Sequence, residues 1–173
     1  LMNGNVFLYY GEELGMKGSG KDENKRAPMY WNKDGNAEGM CKGPADMDDF
    51  RMKFDSLEEQ QEDPDSIYNY VKQVIRVRNQ NPVIARGTTA YLEQYSGEQC
   101  FALTRSYEGS NLLLLGNTSA EAVSVDLTGL TVGGTTAEEL VLLGELYTGE
   151  ETAERAGTVV TLPAYSILIL GEE

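Results

Sequence analysis

The sequence predicts a mainly β chain, in which an antiparallel β-sandwich of the Greek-key type with seven or eight strands follows one strand, one long loop and one helix. Three observations carry this prediction. Residues 6–10 form an apolar run typical of a strand buried on both faces of a parallel sheet. A later segment has apolar residues at helical spacing. Beyond Pro82, short apolar or alternating runs recur between turns that contain Gly, Ser or Thr.

The first predicted strand ends where the chain becomes polar. Residues 6–10 are followed by Gly11 and by two carboxylates, Glu12 and Glu13, as where a barrel strand meets its active-site loop. A central parallel strand needs a neighbour on each side, and the preceding residues cannot supply one. We therefore expect this chain to be the C-terminal part of a larger enzyme. Residues 6–10 should then expose apolar surface and promote self-association of the chain.

The long loop and the helix come next. Residues 17–65 are rich in Gly, Asn, Asp, Lys and Met, and irregular connections of this length are usually functional or disordered. Residues 63–66 (Asp-Pro-Asp-Ser) combine capping side chains with a proline suited to a first helical turn. The helix should end within residues 79–82. Apolar residues recur through it at helical spacing, namely Ile67, Tyr70, Val71, Val74, Ile75 and Val77.

The remaining chain predicts the sandwich. Residues 123–127 alternate between apolar and polar side chains, which indicates a strand with one buried face. Residues 112–115 are consecutive leucines and indicate a central strand. We place a domain boundary between residues 84 and 85, so that residues 85–173 form the sandwich domain. Its strands are predicted at residues 91–95, 100–105, 111–115, 122–127, 139–143, 158–162 and 166–170.

Composition excludes several classes of function. The net charge of −14 argues against nucleic acid and anionic membranes as partners, and no run approaches the ~20 apolar residues of a membrane span. The chain lacks histidine, the commonest metal ligand and general base. Cys41 and Cys100 form no C-x-x-C pair, so neither zinc nor a redox motif is predicted. Asp46, Asp48 and Asp49 lack the spacing of an EF-hand loop and should form a solvated acidic turn. We expect no metal or cofactor in this chain, and a calcium requirement of the larger enzyme stays open.

Four blocks of sequence occur in a distinctive order. They are residues 7–16 (FLYYGEELGM), residues 22–31 (DENKRAPMYW), residues 56–78 and residues 162–166 (LPAYS). Together they resemble glycoside hydrolase family 13, the α-amylase family, in its eighth barrel strand, the D-x-x-x-R-x-P-M-x-W loop segment, the eighth helix and the close of the C-terminal sandwich. The resemblance implies that residues 1–84 are a remnant of a (β/α)8 barrel, comprising its last strand, a long loop and its last helix.

The resemblance also implies a chemistry. The family cleaves α-glucans with retention, using an Asp nucleophile, a Glu acid/base and a second Asp, and two carboxyl groups about 5 Å apart suit that mechanism. These residues lie on the fourth, fifth and seventh barrel strands, which the resemblance places in the missing N-terminal barrel. We therefore expect no catalytic residue in this chain, and no activity from it alone. Adjacent residues of an extended segment point in opposite directions, so Glu12 and Glu13 should instead accept hydrogen bonds at the barrel rim.

Asp22 and Arg26 are the candidate substrate-binding residues. The resemblance implies that they contact glucose units on the non-reducing side of the cleaved bond, where a carboxylate and a guanidinium can grip sugar hydroxyls. The alternative is an internal Asp22–Arg26 pair that only shapes the loop. We expect Trp31 to pack the loop onto the barrel rather than to stack on sugar. Tyrosines at 91, 95 and 107 should fill cores or half-buried faces of strands.

The implied function is therefore hydrolysis of α-1,4-glucans or maltooligosaccharides by the larger enzyme, with this chain as support and one wall of the sugar site. Two alternatives stay open. An oligo-α-1,6-glucosidase or a glucosyl transferase of the same family could carry the same loop motif. A non-catalytic carbohydrate-binding or structural β-module is the alternative from a different class.

Overall fold

The computed structural model describes residues 1–172. By packing, the chain divides into two compact units. One unit contains residues 7–72, and the other contains Leu1–Val6 together with the chain from Gln73 onward. The helices are α1 (Leu57–Glu62), α2 (Ile67–Gln80) and α3 (Pro82–Arg86). None of the helices in the described part of the chain has the length and apolar character that crossing a membrane requires.

The strands all lie in the second unit and pair antiparallel. A five-stranded sheet has the order β1-β2-β3-β10-β7, a three-stranded sheet the order β4-β9-β8, and β5 pairs with β6. The prediction of a mainly β chain with an antiparallel C-terminal sandwich is confirmed. Strand bounds are β1 (Thr88–Tyr91), β2 (Cys100–Tyr107), β3 (Ser110–Asn117), β4 (Val123–Asp126), β5 (Thr131–Val132), β6 (Thr135–Thr136), β7 (Val141–Leu146), β8 (Glu154–Ala156), β9 (Val159–Leu162) and β10 (Ile167–Gly171).

The consecutive leucines at residues 112–115 lie in β3, the middle strand of the larger sheet, and all are buried. Leu113 and Leu115 face the second sheet and belong to the apolar core between the sheets. Side chains of successive strand residues alternate between faces, so Leu112 and Leu114 lie on the opposite face. Helix α3 contacts β2 and β3. The core residues that the two larger sheets contribute are Ala102, Leu113, Leu115, Val125, Val160, Leu162, Leu168 and Leu170.

A buried amide joins the end of β3 to the turns beside it. Asn117 Nδ2 donates to the carbonyl oxygens of Glu121, Leu162 and Pro163 at 2.7, 3.2 and 2.9 Å. Its Oδ1 accepts from the backbone nitrogen and the hydroxyl of Ser119, both at 2.9 Å. This amide therefore bonds to the backbone of two separate turns, where the hydroxyls of Ser119 and Ser166 also donate to the Glu121 and Pro163 carbonyls.

Asn117→Ala should lower the free energy of unfolding by about 2–4 kcal/mol, because it removes a buried amide together with the five hydrogen bonds that it makes. Urea denaturation followed by circular dichroism measures the loss. Thr118→Ala is the matched control, since the Thr118 hydroxyl is exposed and bonds only to the Gln99 carbonyl; its effect should stay within about 0.5 kcal/mol. Equal effects of the two substitutions would contradict the assigned role of the Asn117 amide.

Side chains cap the starts of α1 and α2. Ser66 Oγ accepts from the Asn69 backbone nitrogen at 3.2 Å, and α2 starts at the next residue, Ile67, so Pro64 precedes the helix instead of lying in its predicted first turn. Helix α2 ends at Gln80, as predicted, but Pro82 then occupies the first turn of α3 rather than only ending a helix. Helix α1 was not predicted; it is short and starts from a capping box formed by Ser56 and Glu59.

Three features of the fold differ from the prediction. Residues 6–10 form no strand, because none of the ten described strands pairs with them, and their apolar side chains are exposed, with Phe7 at 92%. The predicted strand at residues 91–95 is wrong, since β1 ends at Tyr91 and a 3-10 helix follows at Glu93–Tyr95. The short strands β5, β6 and β8 were not predicted, because two or three residues carry no usable periodicity. The boundary between residues 84 and 85 stays a prediction.

Candidate functional site

The candidate residues Asp22 and Arg26 occupy the two ends of a single short 3-10 helix, Asp22–Arg26. Their side chains are 83% and 57% exposed. Asp22 Oδ1 lies 3.4 Å from Lys25 Nζ, and Arg26 Nη2 lies 3.7 Å from Glu23 Oε1. The Arg26 Nε donates to the backbone carbonyl of Asp22 at 3.5 Å, so the carboxylate and the guanidinium are not paired with each other. Both charged groups are accessible to a ligand.

A cavity of about 530 Å³ brings these two side chains together with aromatic rings. Tyr9 and Tyr10 lie on its wall, with ring centroids 4.7 Å apart and planes inclined by 41°. Tyr10 is held by a hydrogen bond from its hydroxyl to the Ala27 carbonyl at 3.0 Å. The volume of this cavity and its mixture of polar and apolar lining residues suit a small-molecule site, in which a few polar groups orient a ligand against apolar surface. Sugars present both kinds of surface.

A second cavity, of about 470 Å³, shares Tyr10 and Arg26 with the first and is lined on its far side by Trp31 and Pro28. Trp31 is 44% exposed in this chain, and its expected packing onto the barrel stays a prediction. Its backbone carbonyl accepts from the Glu58 nitrogen at 3.0 Å, which fixes the main chain while the indole stays accessible. Arg26 therefore lines both of these cavities, each of which also has aromatic lining residues.

Glu12 and Glu13 have the structural role that was predicted for them. Glu12 Oε2 accepts from the Tyr9 backbone nitrogen at 3.2 Å, and Glu13 Oε2 accepts from the Gly11 nitrogen at 2.8 Å. Gly11 adopts a φ of 87°, a left-handed conformation that glycine tolerates best. The two carboxylates thus stabilise the turn that follows Tyr9 and Tyr10.

No pattern in the sequence predicted the polar contacts behind the Asp22–Arg26 turn. Asn24 is buried, and its amide pairs with Asp48, which also bonds to Lys21 Nζ at 2.7 Å. The Lys21 bond, followed by the Asn24 bond, lowers the pKa of the Asp48 carboxyl. Asp46, Asp48 and Asp49 were expected to be a solvated acidic turn, and nothing in the spacing of Asn24 and Asp48 signals their pairing. In residues 1–172, no group of three or more His, Cys, Asp or Glu side chains is placed to hold a metal ion.

Comparison with known proteins gives a consistent result. Residues 1–87 match the family model described as "Alpha amylase, catalytic domain". Alpha-amylase 3 of Dictyoglomus thermophilum is 32% identical over 81 residues, covering 47% of this chain and 16% of that protein. The alpha-amylase of Streptomyces lividans is 26% identical over 178 residues, covering 98% of this chain and 18% of that protein. Trehalose synthase of Thermus thermophilus is 26% identical over 137 residues, covering 73% of this chain and 14% of that protein.

Solved structures match over nearly the whole chain. Amy13B of Eubacterium rectale superposes with a TM-score of 0.91 at 41% identity, covering 99% of this chain and 32% of that chain. The alpha-amylase from H. orenii superposes with a TM-score of 0.76 at 28% identity, covering 99% and 33%. The chain thus spans between 14% and 18% of the length of these curated relatives, and about a third of the solved ones.

Proposed function

This chain belongs to the α-amylase family of glycoside hydrolases, and from that premise we propose that it forms one wall of the sugar-binding cleft in an enzyme that cleaves α-1,4-glucans or maltooligosaccharides with retention. The observation that carries the proposal is the position of Asp22 and Arg26. They are exposed, they are not paired with each other, and they line one cavity with Tyr9 and Tyr10. Both residues also fall within the part of the chain that matches the catalytic-domain model.

In this proposal Asp22 and Arg26 orient the glucan and take no part in bond cleavage. The Asp22 carboxylate accepts hydrogen bonds from sugar hydroxyls, and the planar Arg26 guanidinium donates to two oxygens at once. The tyrosine rings provide apolar surface for the faces of the sugar. Holding a substrate in a productive position contributes to rate even where a residue touches no reacting atom.

The catalytic carboxylates belong, in the same proposal, to an N-terminal barrel that is the partner of this chain. The share of each relative that the chain covers supports this division. Glu12 and Glu13 accept backbone hydrogen bonds and are not arranged as a nucleophile and an acid/base. We therefore propose that the chain alone is inactive. The exposed apolar run at residues 6–10 is the surface through which it would meet the barrel or, in isolation, a second copy of itself.

Arg26→Lys in the barrel-containing enzyme tests the sugar contact. Lysine keeps the charge but cannot reproduce the two-pronged hydrogen bonding, so kcat/KM should fall by a factor that corresponds to roughly 1.5–3 kcal/mol. Steady-state kinetics on maltoheptaose and the melting temperature are measured on the same sample. Arg51→Lys, at an exposed position of the same unit, is the matched control and should change neither quantity. A lower melting temperature with unchanged kinetics would instead assign Arg26 to shaping the loop.

A glucosyl transferase or an oligo-α-1,6-glucosidase is the second candidate within the family. The similarity to a trehalose synthase over 73% of the chain supports a transferase as a candidate. Chromatography of the products from maltose distinguishes hydrolysis from glucosyl transfer. Glucose alone indicates hydrolysis, whereas disaccharides with new linkages or longer oligosaccharides indicate transfer.

A further inference from the structure

The Asp22–Arg26 turn is attached to the rest of its unit through its middle residue. Asn24 is 6% exposed, whereas the ends of the turn, Asp22 and Arg26, are open to solvent. Asn24 Nδ2 donates to the Ser19 carbonyl and to Asp48 Oδ2, both at 2.8 Å. Its Oδ1 accepts from the Asp48 backbone nitrogen at 2.9 Å. The amide orientation is therefore determined by its partners, since only an oxygen can accept from the Asp48 nitrogen.

Asn24 and Asp48 thus form a closed pair of hydrogen bonds between residues 24 positions apart in the sequence. Lys21 Nζ binds the other oxygen of Asp48 at 2.7 Å, so the residue just before the turn is tied to the same carboxylate. We call the Asn24 and Asp48 side chains together the amide clamp. It holds the turn at its start and at its centre.

The backbone of Gly18 is also in close contact with the turn. A Cβ at Gly18 would lie 2.8 Å from the Asn24 carbonyl oxygen and 3.2 Å from the Lys25 Cα, so the backbone at Gly18 lies directly against the turn. Only glycine allows this approach without a displacement of main-chain atoms. Because both the amide clamp and the Gly18 backbone lie against it, the turn has little freedom to rotate.

We propose that the amide clamp positions Asp22 and Arg26 for sugar binding, so that affinity for an α-glucan depends on two side chains that do not touch it. The inference rests on the proposed function and adds the positioning residues to it. Asp22 and Arg26 sit at opposite ends of one turn, so any rotation of the turn changes the direction of both. Holding the turn before the ligand arrives removes an ordering cost from binding.

Asn24→Asp disrupts the hydrogen bonds of the amide clamp without changing the size of the side chain. It replaces a donor by a carboxylate oxygen that faces Asp48 Oδ2 and the Ser19 carbonyl, so the pair becomes repulsive. Maltotriose, titrated into the 173-residue chain and followed by ¹⁵N NMR, should bind about fivefold to tenfold more weakly. Asp49→Asn is the matched control, because it changes one charge in the same loop without touching the clamp, and its affinity should equal that of the unaltered chain.

Two further variants test the mechanism. Combining Asn24→Asp with Asp48→Asn restores one amide opposite one carboxylate but not the bond to the Ser19 carbonyl, and should recover part of the affinity. Adding Asn24→Asp to a variant that carries both Asp22→Asn and Arg26→Lys should weaken binding no further, because the clamp acts through those two side chains. Additive losses, or failure of the exchanged pair to recover affinity, would overturn the inference and leave the Arg26 contact standing.

Hydrogen exchange tests the clamp without sugar. In Asn24→Asp the backbone amides of Asp48 and of the Asp22–Arg26 turn should exchange faster, while those of β3 in the other unit stay protected. Unchanged exchange would overturn the clamp itself. If the unaltered chain does not bind maltotriose, or if Arg26→Lys leaves binding unchanged, the proposed function fails and the positioning role fails with it, even where exchange confirms that the clamp holds the turn.

Discussion

The 173-residue chain by itself is expected to release no product from maltoheptaose or from a chromogenic maltoside. Retaining hydrolysis requires a nucleophilic carboxylate and an acid/base carboxyl about 5 Å apart on either side of one bond. Glu12 and Glu13, the two adjacent carboxylates at the cavity, are engaged by the backbone nitrogens of Tyr9 and Gly11. Without the pair, acceleration of the order of 10⁶-fold or more, which enzymes typically reach, is not available.

Chromatography of reducing sugars after a long incubation measures this directly. Repeated purification and matched variants distinguish activity of the chain itself from that of a trace of contaminating amylase. Glu12→Gln and Glu13→Gln alter the cavity, whereas Glu98→Gln alters an exposed residue in a loop of the sandwich. Turnover that survives repurification, disappears in a Glu12 or Glu13 variant and persists in Glu98→Gln would contradict both the proposed inactivity and the structural role of these carboxylates.

The second prediction with a large expected effect concerns the residue at which a stable sandwich domain begins. A chain that starts at Gln73 is expected to unfold cooperatively, whereas one that starts at Ala85 should be close to unstable. The shorter piece lacks Val77, Val83 and Ile84, which are buried in the unit that contains the sheets. Each such side chain contributes about 1.5–3 kcal/mol, and small domains have only about 5–15 kcal/mol in total. The boundary predicted from the sequence would therefore remove buried apolar side chains of this unit, which lie outside the core between the sheets.

Urea denaturation of both pieces, followed by circular dichroism, tests this expectation. Within the longer piece, Ile84→Ala should cost about 2–5 kcal/mol, whereas Ile75→Ala, at a residue that is 46% exposed, should cost less than about 1 kcal/mol. Sedimentation velocity adds the test of self-association: the whole chain should associate with rising concentration, and the piece from Gln73, which lacks residues 6–10, should stay monomeric. Equal stability of the two pieces would show that α2 and α3 are dispensable.

Local patterns in the sequence were enough to identify several elements of the fold. Helix α2 starts beside Ser66 and ends at Gln80 as predicted, since capping and helical spacing are properties of neighbouring residues. The leucines of β3 are central in the larger sheet because a strand covered on both faces must be apolar throughout. The D-x-x-x-R segment marked Asp22 and Arg26 as candidates, and the backbone hydrogen bonds of Glu12 and Glu13 follow their expected structural role.

Other features depend on contacts between residues that are distant in the sequence, and only the tertiary structure decided them. Residues 6–10 have the composition of a strand, but a strand exists only where a neighbour pairs with its backbone, and none of the described strands does. Asp22 and Arg26 have a spacing that allows a mutual ion pair, yet the structure pairs Asp22 with Lys25 and Arg26 with Glu23. The partner of Asn24 lies at Asp48, and no local pattern connects the two: the complementarity of an amide with a carboxylate and a backbone N–H acts only after folding has brought them within hydrogen-bonding distance.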